Sequence, residues 1–130
     1  MSGRTTHATT IRRATPSDLP AIMNVIDGAF LAIDADTVRA RIPHDVLVAV
    51  ADDRILGTIV LDGDHIDAVA VRRRRREQGI GRSLIEAAGT RRGTLTATFR
   101  PEVSLFYETL GFEIERTSET RCLGIRPAVR

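Results

Sequence analysis

The residues best suited to chemistry stand in one run: Asp67-Ala68-Val69-Ala70-Val71, five arginines at 72–76, then Glu77-Gln78-Gly79-Ile80-Gly81-Arg82-Ser83-Leu84. The pattern predicts a strand that leads into a basic, glycine-containing turn and then a helix. At a helix start the first backbone N–H groups lack intrahelical partners, and the macrodipole adds about half a positive charge, so such a start suits a phosphate or diphosphate. Gly79 and Gly81 remove side chains where backbone must approach an anion closely. Neither familiar nucleotide loop is present: no Lys-Ser/Thr follows the glycines, and the spacing is not G-x-G-x-x-G. Taken alone, these residues fit equally a solvated arginine turn whose glycines only permit tight packing.

The elements that must position this run can be read from period and punctuation. Residues 11–14 form a short strand. Thr15-Pro16-Ser17-Asp18 then precedes Leu19, Ile22, Met23, Ile26 and Phe30 at helical spacing, which predicts a first helix over residues 17–30. Asp34 or Asp36 caps a shorter helix through Val38 and Ile42, closed by Pro43. Residues 46–51, 55–61 and 65–71 are β-rich and separated by Asp52-Asp53 and Asp62-Gly63-Asp64, an antiparallel meander with two tight turns. Gly79 opens a helix carrying Ile80, Leu84, Ile85 and Ala88 that ends between Gly89 and Gly93. Residues 95–99 make a strand and 101–110 a helix begun by proline and stopped by Gly111; Ile114 and residues 123–125 mark a last strand pair. The order β-α-α-β-β-β-α-β-α-β-β predicts an α/β (α+β) chain with a mixed, largely antiparallel sheet flanked by helices.

The 130 residues suit one core, with residues 1–10 as a flexible tail and 11–130 as a single domain. The net charge of +2 conceals a segregation. Between residues 14 and 71, ten aspartates face three arginines, giving −7; between 72 and 100, nine arginines face two glutamates, giving +7. All nineteen cations of the chain are arginine, which stays protonated and presents a planar fork suited to phosphate. The single cysteine, Cys122, excludes an internal disulfide and a Cys-rich metal site, so no metal is expected. No apolar run is long enough to span a bilayer, and the polar start lacks the apolar segment of a signal peptide, so a soluble cytoplasmic protein is expected.

Arg76-x-x-Gly79-x-Gly81 after Val69-Ala70-Val71 resembles the acetyl-coenzyme A diphosphate loop of the Gcn5-related N-acetyltransferase (GNAT) family. Leu105-Phe106-Tyr107-Glu108-Thr109-Leu110-Gly111-Phe112 resembles that family's carboxy-terminal signature. One helix and one strand separate the two motifs, as in the family, and the order of elements matches from Ile11 to Ile125. The chain departs from the family pattern at Arg73, often proline, and at Arg100, often asparagine. The resemblance implies the acyl-CoA N-acyltransferase fold, acetyl-CoA as co-substrate and transfer of acetyl to a primary amine by direct attack on the thioester.

On that resemblance, amides of Glu77, Gln78, Gly79, Ile80, Gly81 and Arg82 hold the diphosphate, and the arginine run at 72–76, with Arg76 at the motif position, and Arg82 neutralise the phosphates. Val69, Ala70 and Val71 pair with the pantetheine arm, and an N–H of Ala70 or Val71 polarises the thioester carbonyl. Tyr107, the one tyrosine, stands at the family's acid position, to protonate the leaving thiolate. His65 and Asp67, two apart on one strand face, are the candidates for the base. Asp34 and Asp36 lie in the connection that forms the acceptor wall and would attract a small-molecule or peptide amine. A homodimer is consistent with the family.

Two other classes compete. The +7 block could bind nucleic acid through phosphates, but only five aromatics occur, none interleaved with the arginines. An acyl-CoA-binding sensor of the same fold that has lost transfer is the other.

Overall fold

The structure, a computed structural model, describes residues 9–29, 31–76 and 78–128. Residues 1–8 of the expected tail, Phe30 at the expected end of the first helix and Glu77 of the expected diphosphate loop lie outside the described residues. The strands are β1 Thr10–Arg13, β2 Val46–Ala51, β3 Arg54–Asp62, β4 His65–Val71, β5 Leu95–Phe99, β6 Glu113–Arg116 and β7 Cys122–Arg126. The helices are α1 Leu19–Gly28, α2 Ala35–Arg41, α3 Ile80–Arg92 and α4 Ser104–Thr109.

The seven strands form one sheet in the order β1-β2-β3-β4-β5-β7-β6, antiparallel except where β4 meets β5. The β2–β3 connection is the tight turn predicted, with Asp52 and Asp53 both left-handed at φ 53° and 62°, a conformation aspartate tolerates and hairpin twist favours. β2 and β3 carry near-continuous apolar runs because both faces are covered. On one face, Val46, Val48, Ile55, Val60, Ala68 and Ala70 pack with Ile22, Val25 and Ile26 of α1 and Val38 of α2. On the other, Leu47, Leu56, Ile59 and Leu61 pack with Ile80, Leu84, Ile85 and Ala88 of α3 and with the aromatic cluster around α4.

Two helix starts differ from the sequence reading, and both are tightened by a proline turn. Residues Pro16–Asp18 form a 3-10 turn ahead of α1 because the Asp18 carboxylate turns back onto the Thr15 N–H (2.8 Å) and the Arg12 guanidinium (2.7 Å). Pro101–Val103 likewise form a 3-10 turn, and α4 begins only at Ser104. At its far end α3 is fastened to the strand turns: Arg92 donates to the carbonyls of Gly63 (3.0 Å) and His44 (2.8 Å) and pairs with Asp45.

Candidate active site

The site is built where β4 leaves β5. Only His65↔Thr96 and Ile66↔Ala97 pair across these two strands, and from Ala68 onward β4 has no β5 partner among the described residues. Against β3, Leu61↔Ile66 is followed by Val60↔Ala68, so Asp67 is an extra residue, a β-bulge. The bulge re-aims the backbone beyond it. The Arg72 N–H donates to the Leu56 carbonyl at 2.8 Å, which marks residues 72, 70 and 68 as the positions that bond to β3. Val69 and Val71 alternate with them, so their N–H and C=O groups face the gap. The expected amide of Ala70 is therefore committed to the sheet.

The gap ends at the start of α3. Gly79 is the N-cap residue at φ 81°, a left-handed conformation that glycine reaches without strain, and the Ser83 N–H makes the bond to its carbonyl (3.0 Å). Ile80, Gly81 and Arg82 come earlier than that first helical bond, so their amides are the orphan donors of the helix start. A Cβ on Gly81 would stand 3.4 Å from Phe106 and 3.9 Å from Val71, so α4 and β4 both close on this turn.

The arginines divide by task. The Arg72 Nε donates to the Ile55 carbonyl at 2.7 Å, and Arg82 donates to the Thr109 carbonyl at 3.2 Å with Glu86 at 3.8 Å. These two tie the loop to β3 and α3 to α4. Arg76 donates its Nε to the Val71 carbonyl at 3.1 Å. Arg73, Arg74 and Arg75 form a 3-10 turn with no side-chain partner among the described residues.

Tyr107 lies on the β5 side. Its ring stacks on Phe99 (centroids 4.1 Å apart, planes 9° apart) and meets Phe106 and Phe112 edge-on, each at 5.1 Å. The residue is 8% exposed, and its hydroxyl makes no hydrogen bond with any described residue. Burial pushes its pKa up to about 12, because the charged phenolate loses water.

The two candidate bases face different surroundings. His65 Nδ1 is 2.7 Å from Thr96 Oγ1, in a half-buried position where β4 still touches β5. Asp67 is paired with the guanidinium of Arg41, which also donates to the Leu61 carbonyl (3.2 Å) and has Asp62 at 3.9 Å. Hydrogen bonding to Asp67 raises the Arg41 pKa. The proposed acceptor aspartates are engaged within α2: Asp34 accepts from the Thr37 N–H at 2.8 Å, a bond that lowers its pKa, and Asp36 pairs with Arg39 at 2.6 Å.

Sequence reading missed a cavity of about 390 Å³ between α1 and the end of β4, lined by Asn24, Val25, Gly28, Val71, Arg72 and Arg73. Its one sequence signal is Asn24 and Gly28, a polar and a bare position one helical turn apart on α1. Among the described residues, no group of three or more His, Cys, Asp or Glu side chains could hold a metal ion, and no helix is long and apolar enough to cross a membrane.

Residues 43–114 match the family model of the acetyltransferase (GNAT) domain. A peptidyl-lysine N-acetyltransferase, YjaB, of Salmonella typhimurium is 37% identical over 109 residues, which is 80% of this chain and 75% of that protein. Ard1 from Thermoplasma volcanium superposes with a TM-score of 0.77 at 18% identity, covering 95% of this chain and 99% of the other. The PaiA N-acetyltransferase of Thermoplasma acidophilum, solved in complex with coenzyme A, gives a TM-score of 0.75 at 15% identity, covering 92% and 99%.

Proposed function

The chain belongs to the GNAT family of acetyl-coenzyme-A-dependent N-acetyltransferases, and from that membership we propose that it moves acetyl onto the side-chain amine of a peptidyl lysine. The observation that carries this reading is the open edge of β4. The N–H and C=O groups of Val69 and Val71 face a gap that runs from the Ile66↔Ala97 pair to the orphan amides of α3. An extended amide-bearing arm with a diphosphate at one end fits both ends of that gap.

In this reading Gln78 and Gly79 shape the turn, and the amides of Ile80, Gly81 and Arg82 hold the diphosphate, with Arg76 adding charge. Val69 and Val71 bond the pantetheine arm as a neighbouring strand would, and one of their N–H groups polarises the thioester carbonyl. A lysine ammonium, with a pKa of about 10.4, must lose a proton before it attacks. His65, the candidate base without an ion pair among the described residues, takes that proton through water. The N–C bond forms, the C–S bond breaks, and the electron pair leaves on sulfur. Tyr107 donates its hydroxyl proton to that sulfur and regains one, through water, from the nitrogen of the new amide, while the proton taken by His65 passes to solvent; burial keeps the tyrosine protonated throughout the neutral range. The products are the amide, the free thiol and one released proton.

The test is thiol release from acetyl-CoA with lysine peptides, free amino acids and polyamines in parallel. Turnover of lysine peptides with acetyl on Nζ supports the proposal. Turnover confined to amino acids or polyamines overturns it.

A further inference from the structure

We infer that the cavity between α1 and the end of β4 is an acceptor subsite that takes a carboxylate next to the lysine, so that the preferred peptide carries Asp or Glu beside its target. This inference rests on the peptide-lysine reading and adds to it the chemistry of the flanking residue.

The cavity has an apolar floor and a cationic rim. Val25, which is 2% exposed, and Val71 supply the floor. The rim is Asn24, Arg72 and Arg73. Arg72 uses its Nε on the Ile55 carbonyl, which leaves its two terminal amino groups without a partner among the described residues. The Arg73 guanidinium and the Asn24 carboxamide likewise have none among the described residues. A guanidinium fork is matched in shape and charge by a carboxylate, and a carboxamide N–H can bond the same group.

No carboxylate lines this cavity, although the surrounding half of the sequence is strongly acidic. The aspartates closest in role are engaged elsewhere: Asp34 on the Thr37 N–H, Asp36 on Arg39, Asp67 on Arg41 and Asp18 on Arg12. Asp27 on α1, next to Gly28, is exposed and outside the lining, so two guanidinium groups at the rim, Arg72 and Arg73, stand against one neighbouring carboxylate. Gly28 leaves the α1 wall open, since a Cβ there would have nothing within 4 Å, and this makes room for peptide backbone. Val71 belongs to both regions, because its residue lines the cavity while its backbone groups face the gap between β4 and β5. A peptide seated in the cavity thus lies beside the gap. A volume near 390 Å³ falls within the range of about 300–1,000 Å³ usual for ligand sites.

The experiment uses the full chain, acetyl-CoA and two lysine peptides that differ only by Asp or Asn next to the lysine. The acidic peptide is expected to show a kcat/KM about tenfold higher, carried by KM, the size of one good charge-assisted contact. Arg73→Gln should bring it down to about the level of the neutral peptide, and Arg73→Lys should retain part of the preference; the readout is the ratio between the two peptides, from which any shared change in the KM for acetyl-CoA cancels. Binding of both peptides is measured by calorimetry with coenzyme A present. A binding preference without turnover supports the subsite and counts against peptide transfer. Equal binding and equal turnover of the two peptides overturn the inference. So does an Arg73→Gln variant that keeps the peptide preference but loses affinity for acetyl-CoA, which assigns the cavity to a cofactor phosphate.

Discussion

Arg76 closes a hydrogen bond from its Nε to the carbonyl of Val71 over 3.1 Å, at the end of the gap that β4 leaves when it parts from β5. On the proposed function, a bound pantetheine arm would bond the same carbonyl, either beside this contact or in its place, and a guanidinium released by it would lie one short turn from the start of α3.

Arg76→Ala is expected to weaken acetyl-CoA binding about three- to tenfold at low ionic strength, because a partly exposed charge contact is worth about 1 kcal/mol. The deficit should shrink at higher ionic strength, because salt screens the contribution of Arg76 itself. Calorimetry across a salt series measures both effects, and a variant that binds more tightly than wild type would mean that the Val71 contact outweighs the phosphate charge.

Tyr107→Phe should lower kcat by about 10²-fold or more while leaving cofactor affinity nearly unchanged. The hydroxyl has no partner among the described residues, so folding stability should change little. Because Tyr107 is the one tyrosine of the chain, near-ultraviolet absorbance titrates it alone, and the midpoint is expected at about 12. The folded state binds this proton more tightly than the unfolded chain, so the associated stability is full below about pH 10 and is lost as pH rises through 12.

His65→Ala and Asp67→Ala should separate. The first is expected to reduce kcat about 10²-fold and to alter the pH–rate profile. The second leaves Arg41 without its nearest counter-ion, so its main effect should be lost stability near the bulge. Denaturant titration beside the pH–rate profile distinguishes them, and two unchanged profiles would exclude both residues as the base.

Gly57→Ala should destabilise the chain by about 1–3 kcal/mol through overpacking. The added Cβ would stand 3.0 Å from the Ala70 carbonyl, 3.1 Å from Ile80 and 3.2 Å from Leu84. Since Ala70 lies between the two cleft-facing residues and Ile80 begins α3, acetyl-CoA affinity should fall with stability.

Asp18 gives an acid-side prediction. Its hydrogen bond to Arg12, with support from the Thr15 N–H, lowers its pKa to about 2. A depressed carboxylate stabilises the fold above its unfolded pKa, and that contribution disappears as pH falls from about 4 to about 2. Asp18→Asn should flatten the pH dependence of stability in that window.

The local code of this fold was legible residue by residue. β-rich runs bounded by turn residues gave β2, β4 and β5 to the residue, Asp52-Asp53 gave a hairpin turn, and Arg76-x-x-Gly79-x-Gly81 gave the start of α3. What escaped is what depends on pairing. Nothing in the composition of β4 marks Asp67 as a bulge, because a bulge exists only relative to the register with β3. That one extra residue decides that Val69 and Val71, rather than Ala70, face the gap. The engagement of Asp67 by Arg41, 26 positions earlier, is invisible for the same reason. The cavity is assembled from α1 and the end of β4, more than 40 residues apart in sequence.

The guanidinium turn beside the cleft has one more consequence, which concerns the enzyme as its own neighbour. Acetyl donors can modify exposed unprotonated amines, so a lysine beside a bound thioester would be open to acetylation. Here every side-chain cation is arginine, and a charged guanidinium is a poor nucleophile. The basic loop has no amine to lose to the donor and so keeps its charge turnover after turnover.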